Sequence, residues 1–275
     1  MNQSERLYYL INELIHEDNR YKDLEIPDSH LEQTRLLRSF MNVRMSKEIS
    51  EEFLHVQDEY LSTLVKEKGI VNLTDIPTVA EEFPLSSLPY KDKISIWQGD
   101  ITSLEIDAIV NAANSQMLGC FAPCHGCIDN AIHSAAGIQL RDECYEIMNQ
   151  QGHEEETGMA KITKAYNLPC KHVIHTVGPI VGSKLTKELE EDLRSCYWSC
   201  LECAVKNEVR TIAFCCISTG EFHFPNDKAA EIAMKTVIQF LKENESKIDR
   251  VIFNVFKEID NKIYKVLSSL GLKNN

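Results

Sequence analysis

Apolar residues recur with a helical period through the first part of the chain. Leu7, Leu10, Ile11, Leu14 and Ile15 share one helix face, and Ile49, Phe53, Val56, Tyr60 and Leu64 mark another. Between them, Ser29 and Glu32 have the spacing of a capping box, so a further helix is expected to begin there. From Lys91 onward the pattern changes to short apolar runs alternating with amphipathic stretches. ISIWQGD, DAIVNAAN, AKITKAYNL, HVIHTVGP, TIAFCCIS and RVIFNVF read as strands. Asp129 to about Gln150, Thr186 to Asn207, Asp227 to Glu243 and residues 259–270 read as helices. Continuous apolar strands separated by helices predict an α/β fold with a largely parallel sheet covered on both faces. Pro84, Ser86, Ser87 and Pro89 suggest a division into a helical extension over 1–90 and a sheet-bearing unit over 91–275. In such sheets ligands bind beyond the carboxyl ends of the strands, so polar residues directly after strands are the first candidates for chemistry.

Composition sharpens this picture. Residues 1–90 contain no cysteine and a single glycine, Gly69, so all ten cysteines lie in the second unit, and no chemistry is visible in the first. The formal charge of −13 argues against broad binding to nucleic acid phosphates. It leaves room for a small anion held by backbone N–H groups, which needs no net positive charge. No apolar run is long enough to span a bilayer, and MNQSERLYYLINELIHEDNRY lacks the basic and apolar regions of an export signal. A cytoplasmic, reducing compartment is therefore expected, and the ten cysteines are not read as a disulfide framework. Cys196, Cys200 and Cys203 fall on one helix face and read as core, and Cys215 and Cys216 in TIAFCCIS read as buried strand residues.

Three segments after strands carry candidate chemistry. The richest is LGCFAPCHGCIDN, where Cys120, Cys124, His125 and Cys127 lie within eight residues. Thiolate and imidazole are the donors Zn²⁺ prefers, and three ligands would leave a position for water or substrate. Adjacent Cys124 and His125 do not easily face one ion, so three ligands are expected. Cys124 and Cys127 also form a C-x-x-C pair of the kind used in thiol redox chemistry. Asp129 follows at the start of a helix, as an N-terminal cap or as a carboxylate placed for general-base or orienting work beside the loop. In STGEFHFP, Ser218, Thr219 and Gly220 suit a turn that presents successive N–H groups to an anion.

Taken together, WQGDIT, AIVNAANSQMLG, CIDNAIHSAAG, HVIHTVGP, ISTGEFHFP and VIFNVFKEIDNKIY resemble a macrodomain, the ADP-ribose-binding module, over nearly all of residues 91–270. The pattern is most similar to the MacroD-type hydrolases, which usually have a glycine run followed by Val-Asp-Gly where this chain has CFAPCHGCIDN. That departure resembles the zinc-containing microbial branch, which also carries a helical N-terminal extension. The resemblance implies a three-layer α/β/α fold with a mixed, largely parallel sheet. It implies Zn²⁺ held by Cys120, His125 and Cys127, with Cys124 a spectator. Asp100 and Ile101 would meet the adenine, with Phe256 packing near it. Thr219, Gly220, Glu221 and Phe222 would wrap the diphosphate, Asn114 would reach the distal ribose as a catalytic residue, and Asp129 would be the acidic residue of cleavage. His133 and His175 are expected to be structural, and His223 stands where the MacroD-type loop usually has glycine. The implied activity is zinc-dependent removal of mono-ADP-ribose from modified, acidic protein side chains. A lipoyl-carrier protein related to glycine-cleavage H protein is the implied partner. The alternative is a reader that binds ADP-ribose without cleaving it.

Overall fold

In the computed structural model, residues 1–271 are described. The last four positions of the expected 91–275 unit lie outside them. The helical segment comprises α1 (Gln3–Glu17), α2 (His30–Val43) and α3 (Glu51–Lys68). The expected apolar faces close into one cluster, in which Leu7, Leu10, Ile11, Phe53 and Tyr60 are almost fully buried and Leu37, Phe40 and Met41 of α2 join them. Ser29 does precede α2, but its hydroxyl makes no capping bond, so the expected capping box is not formed. The ordinary helical bond from Gln33 N to Ser29 O, at 2.9 Å, begins the helix without it.

After β1 (Val71–Asn72) and the short α4 (Val79–Glu82), the remaining strands are β2 (Ile94–Trp97), β3 (Leu104–Glu105), β4 (Ala108–Ala113), β5 (Ala160–Lys164), β6 (His172–Val177), β7 (Thr211–Phe214) and β8 (Arg250–Asn254). β1 and β3 form a small parallel pair. The main sheet has the order β2-β8-β7-β4-β6-β5 and is parallel except for β5, which runs antiparallel along β6 at the edge. Its inner strands are buried almost throughout, which is why they read as continuous apolar runs. α7 (Lys187–Lys206), α8 (Asn226–Glu243) and α9 (Glu258–Leu270) pack against one another in chain order. Phe214 links this layer to the sheet core, with its ring centroid 4.9 Å from Tyr197 and 6.4 Å from Phe253. Cys196 and Cys200 are fully buried in the same core, with Cys203 partly buried beside it.

The stretch expected as one helix from Asp129 is two, α5 (Ile128–Ala136) and α6 (Ile138–Gln151). Gly137 breaks it at φ +100, and a β-carbon there would lie 2.7 Å from the side chains of Gln57 and Gln139. α2 and α3 pack on α5, so the helical segment lies against the helix that opens directly after the Cys/His loop. The join near residue 90 is itself packed: Ile76, Val79 and Leu88 enter the sheet core, and Ser86 Oγ donates to the carbonyl of Ser268.

Candidate functional site

All five parallel strands end on the same edge of the sheet, and the segments leaving β2, β4, β7 and β8 gather there. At the β2 end, Asp100 caps the 3-10 turn over Ile101–Ser103. Its carboxylate accepts the Thr102 N–H at 2.9 Å and the Thr102 hydroxyl at 2.6 Å. Lys68, at the end of α3, donates to its other oxygen and to Thr102 Oγ1. Burial alone would raise the Asp100 pKa, but the Lys68 and Thr102 bonds outweigh it and hold the carboxyl below its ordinary value. The Asn254 amide at the end of β8 fixes the Gly99 carbonyl at 2.9 Å. Gly99 lies so close to Trp97 that a β-carbon would sit 2.3 Å from the indole. Phe256 follows β8 with 73% of its surface exposed, an aromatic face open to a ligand. Ile101, in contrast, is buried, which leaves its backbone as the group to offer.

The β7 end carries the turn expected to hold an anion. Ser218 adopts φ +63, and Phe224 N–H closes on the Ser218 carbonyl at 2.9 Å. Thr219 is committed internally, its N–H and hydroxyl both reaching the Cys216 carbonyl. Among the described residues, the N–H groups of Gly220, Glu221 and Phe222 find no intramolecular acceptor and are available to a ligand. His223 holds φ +56, a left-handed conformation in which glycine is the easier occupant.

After β4, Asn114 uses its side chain locally. Its Oδ1 accepts from Gln116 and Met117 N–H, and its Nδ2 donates to the Gly119 carbonyl at 3.1 Å. It shapes the entry to the Cys/His loop. Cys120 Sγ lies 3.7 Å from His125 Nδ1, and one donor atom each from Cys120, His125 and Cys127 all lie within 4.8 Å of one another. Cys124 is turned away, with φ +53 and its thiol donating to the Arg35 carbonyl of α2 at 3.3 Å. The trio fits a soft divalent cation by donor type and spacing. Burial pushes the Cys127 thiol above its ordinary pKa, with Cys120 and Asp129 raising it further. Two thiolates there therefore call for a compensating positive charge. His125 Nε2 is also 3.7 Å from Glu221 Oε1, so this loop approaches the β7 turn across the cleft.

Cys127, not Asp129, caps α5, its sulfur accepting the Asn130 N–H at 3.4 Å. The Asp129 carboxylate turns inward instead, where it is 5% exposed and accepts the Asn111 amide at 2.8 Å. Burial pushes its pKa up to about 6 against the opposing effects of Asn111 and Arg141. Asn111 also faces His175 Nδ1 at 3.2 Å, and His175 Nε2 meets Thr163 Oγ1 at 2.9 Å. His133 lies beside the carboxylate, its Nε2 3.5 Å from Asp129 Oδ1. Burial holds both histidines neutral by lowering their pKa values, His175 to about 3. Cys144 completes a second, buried trio with them. Sequence reasoning passed over Asn111, because an asparagine inside an apolar strand gives no sign of which carboxylate it meets.

A macro domain model matches residues 110–233, the stretch that carries the β4 end, the Cys/His loop and the β7 turn. A "Protein-ADP-ribose hydrolase" of Treponema medium is 51% identical over 98% of this chain and the whole of that protein. One of the same name from Staphylococcus aureus is 48% identical over 94% of each chain. The chain belongs to the macrodomain family. Among solved structures, a Trypanosoma brucei macrodomain in complex with ADP-ribose is 32% identical with a TM-score of 0.64, covering 83% of this chain and 94% of that one. The likeness to the hydrolases runs through the helical segment as well as the macrodomain.

Proposed function

We propose that this macrodomain is a zinc-dependent hydrolase that removes mono-ADP-ribose from acidic side chains of modified proteins. The observation that carries the reading is the placement of a buried carboxylate, Asp129, two residues beyond a converged Cys120–His125–Cys127 trio. Hydrolases named for ADP-ribosylated protein that match nearly the whole chain support the reaction class. The reading assigns the adenine to Asp100, Ile101 and Phe256, and the diphosphate to the turn of Thr219, Gly220, Glu221 and Phe222. In that turn three N–H groups are free of intramolecular acceptors, and an anion there needs no basic side chains. Asn114 shapes the loop at the distal ribose. Bound at Cys120, His125 and Cys127, zinc would orient the distal ribose and polarise a hydroxyl or water. Asp129, held by Asn111 and mostly ionised above its pKa of about 6, would accept the proton released there.

The proposed target is a lipoyl-carrier protein related to glycine-cleavage H protein, and the proposed compartment is the cytoplasm. Among the described residues, no helix is long and apolar enough to cross a membrane. The test is release of ADP-ribose from an aspartate- or glutamate-modified protein, with a modified lipoyl carrier run in parallel. Turnover that falls on zinc removal and in Asp129→Ala supports the mechanism, and wild-type rates in both refute it. Tight ADP-ribose binding by calorimetry with no turnover on any modified protein would make the chain a reader. Equal rates on the carrier and an unrelated modified protein would remove the carrier from the proposal.

A further inference from the structure

Residues 119–127 have no regular secondary structure, and Gly119 and Cys124 both take positive φ. The convergence of three ligands on such a loop therefore needs support from outside it. That support comes from the helical segment. On α2, Arg38 donates from Nη2 to the His125 carbonyl at 3.0 Å, and from Nε and Nη2 to Asn130 Oδ1 at 3.1 and 2.6 Å. Asn130, fully buried on α5, passes the constraint on. Its amide donates to the Ala122 carbonyl at 3.0 Å and the Cys120 carbonyl at 3.4 Å, while its N–H meets Cys127 Sγ. One turn along α2, Asn42 is 1% exposed, accepts the Cys124 N–H at 2.9 Å and donates to Ser134 Oγ at 2.9 Å. The backbones of Cys120, Ala122, Cys124 and His125 are thus all held by Arg38, Asn42 and Asn130.

We propose that α2 is a positioning element of the Cys/His site, in which Arg38 and Asn42 hold the loop so that Cys120, His125 and Cys127 stay converged on a cation. The inference rests on the zinc reading above for the identity of the ligand, not for the bracing itself. It gives the helical extension a part in the site. Such outer contacts to metal ligands are worth roughly 10- to 100-fold in affinity.

The test uses the full chain with Arg38→Met, the milder Arg38→Lys, and Asn42→Ala. Glu32→Ala, at an exposed position in the first turn of the same helix, serves as control. Lysine keeps the charge but loses the second, Nε donor to Asn130 Oδ1, so a smaller loss than in Arg38→Met is expected of it. Zinc affinity is read by chelator competition, and amide hydrogen exchange and alkylation of Cys120 and Cys127 are read on zinc-free protein. The expected result is a roughly 10- to 100-fold loss of zinc affinity in the Arg38→Met and Asn42→Ala variants. Faster exchange and alkylation should be confined to 119–127, with β4 and α7 and the control unchanged. Wild-type affinity and exchange in these variants would overturn the proposal, as would acceleration spread evenly over the chain. Should the wild-type protein take up no zinc, the zinc reading fails, and the exchange and alkylation arms decide the brace alone.

Discussion

Replacing Asp129 by asparagine should separate catalysis, binding and stability into three different signs. The substitution preserves shape, and the new amide oxygen can still accept the Asn111 N–H that now lies 2.8 Å from the carboxylate. Turnover should fall about 10²- to 10⁴-fold, the loss expected when a general base disappears, or about 3–5 kcal/mol on the barrier. ADP-ribose affinity should change by less than about tenfold, because Asp100 and the N–H groups of 220–222 are untouched. Stability should rise. The folded carboxyl, with its pKa near 6 against an ordinary 3.8, binds its proton more tightly than the unfolded one. Native stability therefore declines as pH climbs through that window, and above it the full cost of ionising a buried group is present. At 1.36 kcal/mol per pKa unit this is roughly 3 kcal/mol at most. Urea denaturation of chelator-treated protein should find Asp129→Asn more stable than wild type at pH 7.5, with the gap closing near pH 4. Undiminished turnover would refute the catalytic assignment, and a destabilised variant at pH 7.5 would refute the burial argument.

Asn111→Ala removes the donor to Asp129 and leaves His175 Nδ1 unpaired, so turnover should fall about tenfold or more and stability by about 1–3 kcal/mol, read by kinetics and urea denaturation. Asp100→Ala should weaken ADP-ribose binding by about 10- to 100-fold in calorimetry while leaving the rate at saturating substrate near wild type. Metal analysis should find about one zinc per chain in wild type and in Cys124→Ala and almost none in Cys120→Ala or Cys127→Ala, because Cys124 points at Arg35 and the other two face His125. Phe214→Ala, by opening a cavity between Tyr197 and Phe253, should cost about 3–5 kcal/mol in the same denaturation assay.

Legibility followed the range of the interaction. β4, β6, β7 and β8 could be read because inner strands of a parallel sheet are apolar on both faces. The break at Gly137 was missed because apolar periodicity continues across it, and its cause is a close approach by Gln57, eighty residues away in sequence. Ser29 and Glu32 matched a local motif, yet the Ser29 hydroxyl makes no bond to the first N–H groups of α2. At the site, the donor types of the Cys/His loop and the turn at 218–222 were visible as residue patterns. The inward turn of Asp129 was not, since it depends on Asn111 from another element. Arg38 and Asn42 were invisible for the same reason: on a sequence they are polar positions of an amphipathic helix, and only the packing of α2 on α5 aims them at the loop.

The proposal as a whole turns on where a cation sits when nucleotide is bound. An anomalous difference map at the zinc edge, from crystals soaked with ADP-ribose, decides it. One peak bound by Cys120, His125 and Cys127 and facing the distal ribose beside Asp129 is the predicted result. A peak closed off by the Cys124 sulfur, or one remote from the nucleotide cleft, would contradict it.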